Sequence, residues 1–294
     1  MQRYKRTFGD WAFDAINNIL MIIILCAMIY PFLYIFNYSI SNIAYVSGNP
    51  LLWPRGVNFE AYKVAFGDPD ILRGLVISIA RTVLGPALMI AVTTTAGYVI
   101  SRQDLMWGKF IRKYFVFTMY FSGGIIPGYV LIKELHLTGT FLVYIIPSAA
   151  AVFNMILIKT FMEALPRELE ESAVIDGAND FQLFVKIMFP LSLPVIAAVT
   201  LFASVSQWNA FFDTQLFNSM NPELFPLQYV LYNALQSVSS SSLPDIQTDA
   251  AMAMITPQTL KMAMTMITII PILFVYPLLQ KYFIKGLLIG SIKG

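Results

Sequence analysis

Residues 166–190 of the 294-residue chain read PRELEESAVIDGANDFQLFVKIMFP. The first half of this stretch carries four carboxylates within nine positions: Glu168, Glu170, Glu171 and Asp176. Ionised side chains are costly in hydrocarbon, whereas the sequence on either side is apolar enough for a bilayer. The stretch is therefore expected to lie in water between two membrane segments and to need an aqueous partner surface.

The overall composition predicts an integral membrane protein. Hydrophobic residues make up 57% of the chain and charged residues only 12%, whereas soluble domains carry about 25% charged residues. The net charge of +2 gives no indication of a nucleic-acid partner. A single cysteine, Cys26, and a single histidine, His136, exclude an internal disulfide framework and a cysteine- or histidine-rich metal site.

Six runs have the roughly 20 mostly apolar residues that a membrane-spanning helix needs. They cover residues 16–38, 72–100, 114–132, 140–161, 190–212 and 257–282. Helices are favoured because each span must satisfy its own backbone in lipid, and the runs are too long and continuously apolar for barrel strands. The predicted fold class is all-α integral membrane with six transmembrane helices. Residues 1–71 form a lead-in, first helix and outer loop, 72–282 the membrane core, and 283–294 a tail.

The distribution of lysine and arginine predicts the orientation. Thirteen of the 19 basic residues fall on the side of the amino terminus and five on the opposite side, with Arg81 inside the second span. Basic residues concentrate in cytoplasmic loops. Both termini, and the acidic stretch, are therefore predicted to be cytoplasmic.

The acidic stretch has the local signals of two short helices joined by a turn. Pro166 followed by carboxylates suits a helix start, where the helix dipole favours negative charge. Gly177 suits a backbone turn that a side chain would hinder, and Asn179 or Asp180 can cap a second helix. Small residues such as Ala173 permit close approach of another surface. We call residues 166–190 the bracket and expect it to pass force between a soluble partner and the spans.

The bracket resembles the EAA loop of type I ABC importer permeases. The family pattern is Glu-Ala-Ala, three residues, Gly, nine residues, Ile, one residue, Leu-Pro. The chain matches every spacing, with Ser172 and Phe189 departing in identity but not in physical type. The residues that the resemblance assigns to ATPase coupling are Glu171, Ser172, Ala173, Asp176, Gly177, Ile187 and Pro190. Residues 174–178 also resemble the Ile-Asp-Gly-Ala core of carbohydrate permeases.

The carboxyl-terminal residues strengthen the resemblance. The tail, with Lys285, Gly286, Gly290 and Lys293, resembles the ending of MalG-like sugar permeases, in which it enters the interface of the ATPase dimer. From its residues alone it reads as a flexible basic segment or a simple inner-face anchor. Residues 52–56 resemble the same family, and the overall likeness is closest to its LplC-like branch, which is associated with complex oligosaccharides.

The resemblance implies a MetI-like permease core with a cytosolic EAA coupling helix in the bacterial plasma (inner) membrane. It implies four kinds of partner: a second homologous permease, an ATPase dimer, an extracytoplasmic solute-binding protein and a sugar or oligosaccharide substrate. The chain has no Gly-x-x-x-x-Gly-Lys-Ser/Thr phosphate loop. No cofactor is expected in this chain, and ATP and Mg are expected on the partner ATPase, so the chain is not predicted to be an enzyme.

Polar residues inside the predicted spans are candidates for the substrate path. Gln207, Trp208 and Asn209 place amide and indole groups in the fifth span, which suits a sugar ring. The alternative is interhelical hydrogen bonding. Arg81 is either a functional intramembrane charge or a residue that snorkels outward. Lys261, near the outer start of the sixth span, is expected to snorkel to the interface.

Three alternatives remain open on the sequence. An ABC permease for a non-sugar solute would share the bracket. An ion-coupled secondary transporter would need carboxylates or histidines in the spans, which contain almost none. A membrane-embedded enzyme would need a nucleophile–base pair or metal cluster there. The acidic outer segment 213–256 is either a solvated connector or a surface for a soluble partner or substrate.

Overall fold

The computed structural model describes residues 8–42, 52–237 and 256–290, with side chains of the last helix described as far as Phe274. The regular structure in these ranges is helical, apart from one isolated bridge between Ser41 and Val57. The α-helices are α1 (Phe8–Ser39), α2 (Glu60–Gly67), α3 (Pro69–Ser101), α4 (Gly108–Tyr120), α5 (Ile125–Glu134), α6 (Val152–Glu163), α7 (Glu168–Ile175), α8 (Asp180–Leu183), α9 (Phe189–Leu191), α10 (Leu193–Asn209), α11 (Phe212–Phe217), α12 (Leu227–Ser237) and α13 (Pro257–Gly290). This confirms the predicted all-α class for the described residues.

Three helices are long and apolar enough to cross a membrane. They are α1, α3 and the Pro257–Phe274 part of α13, and they contain or overlap the first, second and sixth predicted spans. The start of α13 is as predicted: Thr256 and Thr259 exchange hydrogen bonds between backbone N–H and hydroxyl (2.9 and 3.3 Å), with Pro257 at the first helical position.

The other three apolar runs are not continuous helices. The third run breaks between α4 and α5, which meet at 113°, around Gly124 with φ of +87°. The fifth breaks at Ser192, where α9 and α10 meet at 73°. Counting each bent pair as one span gives five candidates in the described residues. In the fourth run, a 3₁₀ turn at Phe141–Tyr144 and turns over 145–151 precede the 12-residue α6.

The chain divides into two compact units, one drawn from residues 1–68 and 234–269 and the other from 69–233 and 270–294. In the second unit, α3 packs against α6 and α10. Gly97 of α3 lets the α6 backbone approach, because an added Cβ would lie 3.2 Å from the Met155 carbonyl oxygen. Buried Met89, Ile158 and Val199 fill this interface.

In the first unit, the end of α1 is tied to the segment that follows it. Asn37 Nδ2 donates to the Leu52 carbonyl (2.9 Å), and the Ser39 hydroxyl bonds the Tyr62 hydroxyl of α2 (2.7 Å). Lys261 does not snorkel, contrary to the prediction. It is 9% exposed and its Nζ donates to the Leu235 carbonyl (3.0 Å), because the carboxyl end of α12 offers unpaired carbonyls to a cation.

Candidate functional site

The turn of the bracket has the geometry that its sequence predicts. Gly177 has φ of +81°, a left-handed conformation that favours glycine. The Ala178 N–H donates to the Ala173 carbonyl (2.9 Å) and the Gly177 N–H to the Val174 carbonyl (3.0 Å). This pair of bonds is a Schellman motif, which satisfies the last carbonyls of α7.

The second helix of the bracket begins with a reciprocal cap. Asn179 Oδ1 accepts from the Gln182 backbone N–H (2.8 Å), and the Gln182 side chain accepts from the Asn179 N–H (3.1 Å). This capping box satisfies two backbone N–H groups at the start of α8. Asn179, and not Asp180, is therefore the capping residue. A π-helical turn at Phe184–Met188 then continues into α9.

One face of the bracket packs against the membrane core. Ala173, Leu183 and Met188 are buried in the same cluster as Tyr98 and Met162. Ile187 is partly buried against that cluster. The short side chain of Ala173 lets α7 lie close to the core.

The opposite face of the bracket is exposed and mixes apolar with acidic groups. Ile175 is 84% exposed and Phe181 74% exposed, and Val174 of the bracket's first helix is also exposed. Glu171, Ser172 and Asp176 are also exposed. An exposed apolar surface rimmed by polar groups is typical of a protein interaction site.

Arg102, just after α3, ties this core helix to both helices of the bracket. Its Nη1 donates to Glu170 Oε2 (3.0 Å) on α7, and its Nη2 lies 3.7 Å from Asp180 Oδ1 on α8. Its Nε donates to Asp104 Oδ1 (3.2 Å), and this hydrogen bond holds the pKa of the Asp104 carboxyl below its usual value. The sequence analysis counted Arg102 only toward orientation, since nothing local pairs it with Glu170, 68 residues away.

The predicted ATPase-contacting tail is described only in part. The backbone of α13 stays helical through Lys285 and Gly286 to Gly290, eight residues beyond the predicted end of the sixth span. The side chain of Lys285 and the whole of Lys293 lie outside the described residues.

A second set of polar groups lies inside the membrane core around Arg81. The Arg81 side chain is 1% exposed, which excludes outward snorkelling. Its Nε donates to Gln207 Oε1 (3.0 Å), its Nη1 to the Ala210 carbonyl (3.2 Å), and its Nη2 to Asp213 Oδ2. The guanidinium also lies 4.3 Å from the centroid of the Tyr144 ring. A buried arginine is tolerated here because its charge is paired and its donors are bonded.

The three residues predicted for the substrate path lie in different surroundings. Gln207 is buried, and its Nε2 donates to the Tyr144 carbonyl (2.9 Å) and the Ser148 hydroxyl (3.0 Å). Trp208 is buried, and Asn209 is exposed with its Nδ2 bonded to the Val205 carbonyl (2.9 Å). Gln207 therefore makes the interhelical bonds of the alternative interpretation.

Gln207 also forms part of the wall of a cavity of about 330 Å³. The cavity is bounded by the middle of α3, the turns before α6, and the second half of α10. Its polar lining comes from Ser148, Asn154, Ser206 and Gln207, and Phe153 and Phe202 contribute rings. Trp208 and Asn209 do not line it.

Broken membrane helices around a cavity, with a capped helical bracket beside them, define a transport permease rather than a single-helix anchor. Residues 107–289 match the family described as the binding-protein-dependent transport system inner membrane component. The chain belongs to this family, which confirms the class indicated by the EAA-like spacing.

Curated relatives extend the similarity over nearly the whole chain. A polygalacturonan/rhamnogalacturonan transport system permease protein, YtcP of Bacillus subtilis (strain 168), is 37% identical over 277 residues, covering 94% of this chain and 96% of YtcP. The protein LplC of the same strain is 39% identical over 284 residues, covering 96% of this chain and 95% of LplC.

A solved structure shares the fold. It is that of a bacterial ABC transporter involved in the import of the acidic polysaccharide alginate, and one of its chains matches with a TM-score of 0.84 at 29% identity. The match covers 96% of this chain and all of that one.

Proposed function

We propose that this chain is the permease subunit of an ATP-driven importer and forms half of the membrane path for a sugar or oligosaccharide. The observation that carries this proposal is the 37% identity, over nearly the full length of both chains, to a permease named for polygalacturonan and rhamnogalacturonan transport. The alginate transporter with the same fold adds a second saccharide system.

The chain crosses the inner membrane six times in this proposal, with both termini in the cytoplasm. The three long helices, the bent pair of α4 and α5, and α10, which follows the bracket at the second bend, supply five crossings. The sixth is formed by residues 140–161, whose short α6 packs against α3 and α10 and whose Ser148 hydroxyl accepts a hydrogen bond from Gln207 of α10. The thirteen-to-five distribution of basic residues supports the orientation.

The bracket couples this chain to an ATPase. Its exposed side offers a surface for a groove on a soluble partner. This surface consists of Glu171, Ser172, Asp176 and Gly177 together with the apolar side chains of Ile175 and Phe181. Its inner residues transmit the movement: Ala173 and Ile187 through packing, and Pro190 at the start of the bent α9–α10 segment. The tail residues Lys285, Gly286, Gly290 and Lys293 contact the same ATPase dimer, which binds ATP and Mg.

Two further partners complete the transporter. A second, homologous permease supplies the other half of the path, and an extracytoplasmic solute-binding protein delivers the saccharide. The description of the family as binding-protein-dependent supports the binding protein, and the resemblance to type I ABC importer permeases supports the second permease. Gln207, Trp208 and Asn209 keep a place in the proposed path, Gln207 as part of the cavity wall and the other two outside the cavity.

The test is uptake of radiolabelled saccharide into vesicles that contain the purified transporter. The proposal is supported if uptake requires ATP on the side of the vesicle membrane that carries the ATPase. Uptake should also be independent of an imposed proton or sodium gradient. Gradient-driven uptake without ATP would instead identify a secondary transporter. ATP-dependent uptake of a non-sugar solute, with no uptake of any saccharide, would keep the coupling and reject the substrate class.

A further inference from the structure

The cavity lies beside the middle of α3. Gly85, Pro86 and Met89 line it, and Gly85 is the central residue of the 33-residue α3. At 1.5 Å rise per residue, each end of α3 is about 24 Å from Gly85. Because the hydrocarbon of a bilayer is roughly 30 Å thick, the cavity is far from either interface.

The backbone beside the cavity is not helical. Residues 145–151 form turns between the 3₁₀ segment and α6, and Ser148 and Ala151 of this stretch line the cavity. Non-helical backbone at membrane depth is tolerated only where protein covers it or where it faces a water-containing cavity. The break therefore favours a wet cavity with a polar occupant over one filled by lipid.

The polar groups of the cavity wall divide into fixed and available groups. Both amide atoms of Gln207 bond protein groups: Oε1 accepts from Arg81, and Nε2 donates to Ser148 and to the Tyr144 carbonyl. Asn154 is different, since the contact of its Nδ2 is Met89 Sδ at 3.7 Å, and a thioether is a weak acceptor. Ser206 is exposed to the cavity. Asn154 and Ser206 are thus the groups that can bond an occupant.

The rest of the lining is aromatic and aliphatic. Phe153 and Phe202 are both more than half exposed, and the lining contains no charged side chain. Ligand sites commonly combine aromatic walls with a few polar groups that fix orientation. A carboxylate placed here would lose its hydration without gaining a cation, which is unfavourable.

We propose that this cavity binds one uncharged pyranose unit of the transported saccharide, stacked against Phe153 and Phe202 and hydrogen-bonded by Asn154 and Ser206. The proposal rests on the proposed function and adds to it a site and a ligand chemistry. The volume of about 330 Å³ is at the lower end of the range for ligand pockets, which suits a single ring rather than a chain. Carboxylated sugar units must then be recognised outside this cavity.

The first experiment measures access to the cavity in the complete reconstituted transporter. Ser206→Cys is made in a Cys26→Ala background, because Cys26 is exposed, and its alkylation by a membrane-impermeant maleimide is timed. The probes are trigalacturonate and its fully methyl-esterified, uncharged form. We expect the ester to slow alkylation of Ser206→Cys at least fivefold. Gln103→Cys, at an exposed position two residues beyond the end of α3, serves as the control whose rate does not change.

Three results would overturn the proposal. Protection by trigalacturonate alone would mean that the cavity recognises carboxylates. Reaction with a lipid-soluble maleimide but not with the impermeant one would mean that lipid fills the cavity. No effect of either saccharide on Ser206→Cys would mean that the cavity holds no sugar.

The second experiment measures uptake of whichever probe the wild-type transporter imports. Loss of one hydrogen bond or one aromatic contact should lower apparent affinity about fivefold, and loss of two about thirtyfold. We expect the smaller loss of affinity for Asn154→Ala and for Phe153→Ala, and the larger loss for the double variant. Thr95→Ala removes a hydroxyl of α3 away from the cavity and should retain wild-type affinity. ATP-dependent wild-type uptake combined with unchanged affinity in the cavity variants would reject this inference and leave the proposed function intact.

Discussion

Arg81 and Gln207 are joined by a 3.0 Å hydrogen bond across 126 residues of sequence, and the arginine is almost completely buried. The same guanidinium pairs with Asp213 and lies over the Tyr144 ring. The bond links α3 to the carboxyl-terminal part of α10 and fixes the glutamine in the cavity wall.

Replacing Arg81 with methionine should destabilise the transporter strongly. The change leaves Asp213 and the Gln207 carbonyl without their donor, and removing one partner of a buried ion pair costs roughly 3–5 kcal/mol. Thermal unfolding of the purified complex in detergent provides the measurement. Arg73→Met is the matched control, because its exposed pair with Asp70 contributes at most about 1 kcal/mol. The double variant Arg81→Met/Asp213→Asn should recover part of the loss, and equal destabilisation by the two single arginine variants would contradict the assignment.

Replacing Arg81 with lysine should not rescue the network. Lysine keeps the charge but cannot donate to Gln207 and to both oxygens of Asp213 at once, because its donors radiate from one nitrogen. We expect the melting temperature of Arg81→Lys to lie between those of the wild type and Arg81→Met. A melting temperature equal to wild type would show that charge alone is sufficient.

A methyl group at Gly85 should disturb the glutamine directly. The added Cβ would lie 2.9 Å from Gln207 Nε2, closer than real contacts allow. Overpacking of this kind costs about 1–3 kcal/mol, so Gly85→Ala should lower the melting temperature and the affinity for saccharide together. Gly128→Ala is the control within a helix, since its Cβ would meet nothing within 4 Å. A tolerated Gly85→Ala would mean that the Gln207 position is not fixed.

The turn at Gly177 should tolerate asparagine better than valine. An added Cβ would meet nothing within 4 Å, so the cost arises from the backbone φ of +81° and not from a clash within this chain. Asparagine adopts this conformation far more readily than a β-branched residue. We expect Gly177→Val to reduce co-purification of the ATPase and saccharide uptake, and Gly177→Asn to retain most of both. Loss of equal size in the two variants would indicate that the partner needs the space at this position.

Removing the tie between α3 and the bracket should weaken coupling more than stability. Arg102→Met eliminates the bonds to Glu170 and Asp104 and the proximity to Asp180. Because these groups are partly exposed, we expect a loss of roughly 1 kcal/mol or less in stability. The ratio of saccharide transported to ATP hydrolysed should fall, because the bracket is then held to α3 by packing and by the long hydrogen bond from the Tyr98 hydroxyl to the Asp180 carbonyl (3.4 Å). Lys63→Met, which breaks an exposed pair with Glu60 in the outer segment, should leave that ratio unchanged.

Local sequence signals predicted the bracket well. The Gly177 turn, the Asn179 cap and the Thr256–Pro257 start of α13 each depend on residues within five positions of one another. Such structure is specified by side chains that bond the adjacent backbone. The identities of neighbouring residues are therefore enough to predict it. The long uninterrupted helices α1 and α3 were predicted for the same reason, since hydrophobicity over 20 residues is a local quantity.

Continuity of the other spans was not predictable from hydropathy. Residues 114–132 and 140–161 are apolar enough to read as single helices, yet the first bends by 113° and the second contains turns over 145–151. Apolar side chains show where a segment can be buried, but not whether its backbone is helical there. Packing against α3 and α10 decides that, because it covers backbone groups that lipid would leave unpaired.

The sequence by itself determined the membrane class, the turn and cap of the bracket and its EAA-like spacing, because composition and short-range patterns carry that information. Only the tertiary structure decided the environments of Arg81, Arg102 and Lys261, which are bonded to groups between 26 and 132 residues away. It also decided that Asn154 and Ser206, rather than Trp208 and Asn209, line the cavity. Which groups meet inside a membrane protein depends on how its helices break and pack, and no single stretch of sequence contains both sides of such a contact.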